Sequence, residues 1–165
     1  MTPQEAADRA EITELLHRYC RSVDRLDEPL GHSVWHPDGT ADYGEDFYVG
    51  SGRGVIDLIC RQHRGLAVHS HQLSNILIDL DGDRAGSESA CFANLRMERG
   101  GKLVQMTVWT RYLDRWSKRG GRWGIEHRRA VRDFDEVREV TPLSAKHQGR
   151  RDRDDPSYAV LGDPT

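Results

Sequence analysis

The chain has 165 residues, of which 36% are hydrophobic and 31% charged, and its formal net charge is −3. This length fits one domain with its own core. The slightly acidic balance argues against a dedicated nucleic-acid binder, which is usually basic. No apolar run approaches the roughly 20 residues that span a bilayer, and the N-terminus lacks the basic and apolar regions of a signal peptide. We therefore expect a cytoplasmic protein without a membrane contact.

The N-terminal third is predicted to be mainly helical. Thr2–Glu5 reads as a capping box, and apolar residues at helical spacing predict a helix to about Val23. Asp24 follows at the C-terminal end of this helix, where the helix dipole disfavours a carboxylate. It therefore either points into water or is held there because it has a functional role. A short helix is expected after Asp27, and a third from about Gly54 to Arg64.

Short connecting elements are predicted between these helices. His36–Gly39 reads as a turn, whereas Thr40–Tyr43 and Phe47–Val49 are short strand candidates. Gly50–Gly54 is too short for a phosphate-binding loop and lacks its Lys-Ser/Thr ending.

Four long strands are expected next, over His69–Leu80, Arg84–Glu98, Leu103–Trp116 and Trp123–Phe134, joined by glycine-containing turns. Helices followed by an antiparallel meander predict an α+β fold, in which curled strands and helices form a cone with an open pocket. We assign residues 1–140 to this domain. Residues 141–165 are polar and read as a mobile tail, or as an arm that packs only in an oligomer.

The polar start of the first long strand is the best candidate for chemistry. Alternation predicts that His69, His71, Leu73 and Asn75 share one face. An imidazole among apolar neighbours is a candidate proton carrier because its unperturbed pKa lies near neutrality. Taken alone, His71 reads as a structural histidine bonded to a backbone carbonyl, and His69 reads as a solvated residue.

No cofactor or metal is expected from the sequence. Three cysteines, Cys20, Cys60 and Cys91, are odd in number and far apart, so we expect them to be reduced. Two histidines at i and i+2 could bind a metal, but no third ligand lies in register. His36, His63 and His127 are interpreted as surface or packing residues, and His63 is placed on the inward face of the third helix or on its margin.

Three segments in order resemble the NTF2-like cone and, within it, the SnoaL-like family of dehydratases and dehydrochlorinases. These segments are Ile12–Asp24, His71–Asp83 and Gly120–Arg128. The resemblance covers roughly residues 5–137 and implies an α+β cone in which helices pack on a curved, mixed but mostly antiparallel sheet. It also implies a homotrimer, or a dimer, acting on a small hydrophobic or aromatic substrate.

The resemblance implies roles for individual residues. His71 matches the general base, and Asp24 matches the carboxylate that orients it. Tyr19 and Arg128 match catalytic pocket residues. Strand parity places Arg128 opposite Trp123 unless a bulge intervenes.

Five further side chains are expected to contact the substrate. Asn94 matches a second polar group, although an amide cannot shuttle a proton. The aromatic residues expected to line the pocket are Trp35, Tyr43, Phe92 and Trp109.

These matches favour a cofactor-independent lyase of the dehydratase type. The same Asp–His pair could serve an isomerase, or a carbon–carbon lyase that releases formaldehyde. Two alternatives of another class are a non-catalytic small-molecule binding module and the small subunit of a ring-hydroxylating oxygenase.

Overall fold

The computed structural model describes residues 1–142, 145–146 and 148–162. Its helices are α1 (Pro3–Arg25), α2 (Glu28–Ser33), α3 (Gly52–His63) and α4 (Ser157–Leu161). Its strands are β1 (Trp35–Asp42), β2 (Val49–Ser51), β3 (Val68–Asp81), β4 (Arg84–Arg99), β5 (Lys102–Arg119) and β6 (Arg122–Glu139). Within these residues, no helix combines the length and apolar character that a bilayer crossing requires.

One six-stranded sheet has the order β2-β1-β6-β5-β4-β3. Only the β1–β6 pair is parallel, and every other neighbouring pair is antiparallel. Apolar residues of α1 and α3 pack on the sheet and form one core, with Ile12, Leu16, Val55, Ile56 and Ile125 fully buried. The expected α+β cone with a mixed, mostly antiparallel sheet is therefore confirmed.

Helix α1 begins as the sequence predicts. The Thr2 hydroxyl accepts from the backbone N–H of Glu5, and the Glu5 carboxylate accepts from the backbone N–H of Thr2. The helix ends where Leu26 adopts a left-handed conformation with φ 55°. Residues on its buried stripe include Ile12, Leu16 and Tyr19, so the helical periodicity predicts which face packs on the sheet.

The connection between α2 and α3 differs from its prediction. Residues 36–39, read as a turn, lie inside β1, which begins at Trp35. The pairing of β1 with β6 shifts register between Trp35 and Thr40. The turn-like residues His36–Gly39 therefore form an irregular part of a strand, because the neighbouring β6 supplies a pairing partner that local sequence cannot reveal.

Bulges in β3 and β6 change which side chains face the core. In β3, Asn75 has φ 50° and the register shifts between Ser74 and Leu77. After this bulge Ile76 packs against the core, whereas Leu77 is 67% exposed. Strict alternation along β3 predicts that Ile76 lies on the face opposite His71, and the bulge makes this prediction wrong.

The second bulge is in β6, where Trp116 pairs with Ile125 but Arg115 pairs with His127. Glu126 is the extra residue. Both Ile125 and Arg128 are consequently fully buried, so the parity conflict for Arg128 is resolved by a bulge.

The described part of the C-terminal segment packs on its own chain. Asp155 is buried, and its carboxylate lies 3.3 Å from the guanidinium of Arg25. The hydroxyl of Tyr158 donates to Asp27 at 2.9 Å. The expectation of a mobile tail, or of an arm that packs only in an oligomer, is wrong for these residues, whereas residues 143–144, 147 and 163–165 lie outside the described part.

Gly52 is required where α3 begins, because a Cβ there would overlap the ring of fully buried Trp35. We expect Gly52→Ala to lower the free energy of unfolding by ~1–3 kcal/mol or more, because the buried ring of Trp35 has no room to move. Thermal unfolding followed by circular dichroism would measure this. Gly86→Ala is the control, because nothing lies within 4 Å of its Cβ position. Equal melting temperatures for both variants would contradict the expectation.

Candidate active site

An apolar cavity of about 370 Å³ opens between α1, α3 and the concave face of β3–β6. Its apolar lining comes largely from α3 and from β4 and β5. It includes Ile59, Leu66, Leu95, Met97, Met106 and Val108. The polar side chains that line it include His63 and His71. Such a cavity suits a small apolar or aromatic ligand that is oriented by a handful of polar groups.

Asp24 and His71 form a hydrogen-bonded pair at the edge of this cavity. The Nδ1 atom of His71 lies 2.8 Å from Oδ1 of Asp24. Both carboxylate oxygens of Asp24 also accept from the backbone N–H of His71 at 3.0 Å. The side chains are 8% and 15% exposed for His71 and Asp24, so the pair is largely shielded from water.

The pair is built from a helix end and a free sheet edge. β3 is the last strand of the sheet, so the backbone N–H of His71 has no strand to donate to on that side. Asp24, in the last turn of α1, satisfies it. The hydrogen bonds to the backbone N–H fix the orientation of the Asp24 carboxylate independently of the imidazole. Both side chains therefore have little conformational freedom.

This geometry determines the tautomer of His71. An ionised carboxylate only accepts hydrogen bonds, so Nδ1 carries the proton that Asp24 binds. Nε2 then has a free lone pair, and His71 lines the cavity. The arrangement can take up a proton from a ligand at Nε2 while Asp24 stabilises the imidazolium that results.

His69 has a structural contact. Its Nε2 donates to the backbone carbonyl of Val23 at 3.0 Å, near the end of α1. Burial lowers the pKa of His69. The side chain therefore holds the helix end against β3, rather than being a solvated residue as expected.

Tyr19 and Tyr43 meet at the cavity wall, with their hydroxyl oxygens 2.7 Å apart. Burial raises the pKa of both phenols, so they are protonated at neutral pH. One hydroxyl proton is used between the two oxygens. The second is left for a hydrogen bond to an oxygen atom in the cavity.

Arg128 lies behind this wall rather than on it. Its guanidinium donates two hydrogen bonds of 2.7 Å to Asp114, and both side chains are fully buried. It also lies 4.2 Å from the ring centre of Tyr19 and 4.0 Å from that of Tyr112. The expected direct pocket contact of Arg128 is therefore absent, and its charge acts through the tyrosine rings.

Three aromatic residues expected in the pocket lie elsewhere. Trp35 is fully buried in the core against Gly52. Phe92 and Trp109 lie on the opposite, outer face of the sheet, where Trp109 stacks on Phe134 at 4.5 Å. Strand alternation decides this, because the cavity side chains of β4 and β5 are the intervening residues.

Asn94 shares the face of Phe92. Its side-chain oxygen accepts from Gln105 and Thr107, both at 3.1 Å. It borders a separate polar groove rather than the apolar cavity. The expected substrate contact of Asn94 is therefore not supported by its position.

His63 is the site residue that sequence reasoning missed, since it was placed on the inward face or margin of the helix but interpreted as a surface or packing residue. It lies in the last turn of α3 and lines the cavity. Its ring lies nearly parallel to that of His71, at 21° and 5.4 Å between ring centres. Its position seven residues after Ile56, on the buried stripe of α3, was the available signal.

No group of three or more His, Cys, Asp or Glu side chains in residues 1–142, 145–146 and 148–162 is arranged to hold a metal ion. The three cysteines are free and buried. The histidines near the cavity instead contact a carboxylate, a backbone carbonyl or one another.

Acid should destabilise the protein through His63. Burial lowers its pKa from 6.5 to about 3, with a smaller effect from His71. Below pH 6.5 the unfolded chain therefore binds a proton that the folded chain does not, so stability falls as the pH decreases towards 3. Urea unfolding should show that the free energy of unfolding is lower at pH 4 than at pH 7 by on the order of a few kcal/mol. In His63→Phe this difference should be smaller. The exposed His17→Phe should not reduce it, and an identical loss in both variants would contradict the assignment.

Comparison with known proteins identifies relatives of this fold. The SnoaL-like domain family matches residues 4–129. A hexachlorocyclohexane dehydrochlorinase from Novosphingobium barchaimii is 18% identical, with a TM-score of 0.69 over 87% of this chain and 94% of that one. A candidate scytalone dehydratase from Novosphingobium aromaticivorans is 22% identical, with a TM-score of 0.68 over 89% and 100%.

A Kribbella flavida protein is 18% identical, with a TM-score of 0.70 over 80% of this chain and 95% of that one. No curated protein matches the sequence. At these identities the structural likeness establishes the fold.

Proposed function

Because the chain belongs to the SnoaL-like family, we propose that it is a cofactor-independent lyase that eliminates water from a small hydrophobic cyclic or aromatic substrate. One observation carries the proposal. Nδ1 of His71 is held by Asp24 at 2.8 Å, while the ring lines an apolar cavity. A positioned base with a free lone pair in a dry site is what abstraction of a weakly acidic proton requires.

The proposed reaction begins with proton transfer from carbon. Nε2 of His71 takes a proton from the carbon next to a carbonyl group, and the electron pair moves towards the carbonyl oxygen. Asp24 stabilises the resulting imidazolium. The electrons then return, the bond from the neighbouring carbon to its hydroxyl breaks, and Nε2–H gives its proton to the departing oxygen as water forms.

The tyrosine pair assists this second step. Of the two protons on Tyr19 and Tyr43, one is free to bind the departing hydroxyl. Arg128 lies beneath the ring of Tyr19, and its positive charge favours developing negative charge at that phenol. Arg128 is therefore a positioning and electrostatic residue in this proposal.

The structural relatives support an elimination. The two that are named as a dehydratase and a dehydrochlorinase carry names of elimination reactions. The same Asp24–His71 pair could also serve an isomerase, which returns the proton to another carbon. In a carbon–carbon lyase that releases formaldehyde, it would take a hydroxyl proton instead.

The experiment is a screen of cyclic and aromatic β-hydroxy ketones in deuterium oxide. Mass spectrometry would follow loss of water from the substrate and the position of any deuterium taken up. An elimination predicts loss of water from at least one substrate, and this loss should disappear in His71→Gln. Deuterium uptake at another carbon without loss of water would favour the isomerase, and release of formaldehyde would favour the carbon–carbon lyase. Tight binding without turnover across the panel would favour a binding module, and co-purification with an iron-containing large subunit would favour the oxygenase module.

Assembly into a homotrimer, or a dimer, is also proposed. Phe134, which is 58% exposed, and Trp109 form an aromatic strip on the outer face of the sheet. Burial of such a strip between copies would remove apolar surface from water. Light scattering after size exclusion would give the mass, and a monomer at micromolar concentration would contradict this part of the proposal.

A further inference from the structure

The ring of His63 is a polar group of the cavity to which the proposed function gives no role. The residue is 8% exposed and lines the cavity. Within the described part of the chain, its Nδ1 is buried and has no hydrogen-bond partner. Since Nδ1 has no accessible surface, Nε2 is the ring nitrogen that a ligand can reach. A buried polar side chain without a partner costs free energy, so its retention needs a reason.

The surroundings of His63 keep its ring neutral. Burial lowers its pKa to about 3, and the nearby His69 and Arg151 act in the same direction. Proximity to His71 acts in the same direction. When His71 becomes an imidazolium during proton transfer, His63 therefore does not compete for that proton. It stays a neutral hydrogen-bonding group throughout.

The arrangement favours the tautomer with the proton on Nε2. Nδ1 lies in a buried position without a partner. A lone pair without a donor is better tolerated in such a position than an orphaned N–H group. Nε2 then carries the proton and can donate it to an acceptor in the cavity.

The rings of His63 and His71 lie side by side, 5.4 Å apart between centres. In a ketone, the acidic proton and the carbonyl oxygen are on adjacent carbon atoms, so one substrate can reach both rings. Besides the two imidazoles, the paired hydroxyl groups of Tyr19 and Tyr43 are a third polar group in the cavity lining.

We propose that His63 donates a neutral hydrogen bond from Nε2–H to the carbonyl oxygen of the substrate, and so stabilises the oxyanion that forms when His71 removes the proton. This deepens the proposed function and rests on it. It identifies the substrate class as ketones whose carbonyl oxygen is the hydrogen-bond acceptor. The departing hydroxyl is then left to Tyr19 and Tyr43.

The test uses two probes of nearly equal shape, 1-indanone and indane, which differ by the carbonyl oxygen. Affinities would be measured by NMR titration of the whole protein. His63→Phe keeps a flat ring but has no donor. We expect it to weaken 1-indanone binding roughly five- to tenfold, the size of one neutral hydrogen bond. Binding of indane should change by less than about twofold, since it makes no such bond.

A spectroscopic signature separates hydrogen bonding from packing. The ¹³C resonance of carbonyl-labelled 1-indanone should move downfield when it binds the unchanged protein, and should not do so with His63→Phe. His63→Gln, whose amide can donate, should restore much of the shift. Tyr19→Phe should retain it, because the tyrosine pair is assigned to the other oxygen.

Two results would overturn the inference: an unchanged carbonyl shift in His63→Phe, or its loss in Tyr19→Phe instead. His71→Gln should abolish turnover and still show the shift. The failure of the proposed function is thereby distinguishable from the failure of this inference. If the unchanged protein binds neither probe, the cavity is not a ligand site and both proposals are overturned.

Discussion

Replacing Asp24 by Asn is expected to reduce turnover by ~10²–10⁴-fold, the usual contribution of a positioned general base. An Asn amide would present an N–H group to Nδ1 of His71, which now lies 2.8 Å from a carboxylate oxygen. The imidazole would then accept at Nδ1 and carry its proton on Nε2. The lone pair that faces the cavity would be lost. Steady-state kinetics on a substrate found in the screen would measure the effect.

The chain offers a matched control for this substitution. Asp57 accepts from Nε2 of His32 at 2.6 Å, but this second Asp–His pair lies on the surface, with side chains 49% and 33% exposed. Asp57→Asn should leave turnover unchanged within about twofold, because this pair has no part in the proposed reaction.

The combination of Asp24→Asn with His71→Gln should be no worse than either substitution alone, because the two residues act as a unit. Full activity in Asp24→Asn, with the fold intact by circular dichroism, would rule out the proposed mechanism.

The largest expected loss of stability follows removal of Asp114. Its carboxylate accepts two 2.7 Å hydrogen bonds from Arg128, and both side chains are fully buried. Burial opposes the charge of the guanidinium, but attraction to Asp114 holds the pKa of Arg128 well above its usual value. Asp114→Ala would strand that charge in the core. We expect the free energy of unfolding to fall by ~3–5 kcal/mol, or the protein not to fold.

Asp133→Ala is the control for this prediction. Arg111 donates a similar two-pronged set of hydrogen bonds to Asp133, at 2.9–3.1 Å, but the pair is exposed on the sheet surface. Its removal should lower the free energy of unfolding far less, because water replaces the lost contacts. Urea unfolding of both variants would measure the difference. Similar losses would show that burial of the Arg128–Asp114 pair is not what makes it important.

Much of the fold could be predicted from local patterns. The capping box at Thr2 and the apolar stripe of α1 were confirmed because they depend on neighbours within one or two helical turns. The four long strands were found because alternation and glycine turns are also local. The prediction for residues 36–39 was wrong because their strand conformation depends on pairing with β6, which is distant in sequence.

The candidate site could be predicted only in part. Asp24 and His71 were selected through the family resemblance, and the hydrogen bond between them agrees with that selection. Trp35, Phe92 and Trp109 were predicted to line the pocket, but the structure places them elsewhere. Aromatic composition indicates that a core or a pocket exists, but not which side of a curved sheet encloses it.

The sequence by itself determined the α+β class, the extent of the main helices and strands, and the family to which the chain belongs. The fold class and the elements follow from periodicity, caps and turns, which are short-range properties of the chain. The family was identified from the resemblance of three segments, and the match over residues 4–129 shows it. Only the tertiary structure decided the details of the site. The bulges at Asn75 and Glu126 reset which side chains face inward, and the end of α3 brings His63 against His71. Such contacts join residues far apart in sequence, and their geometry is fixed only when the helices pack on the sheet.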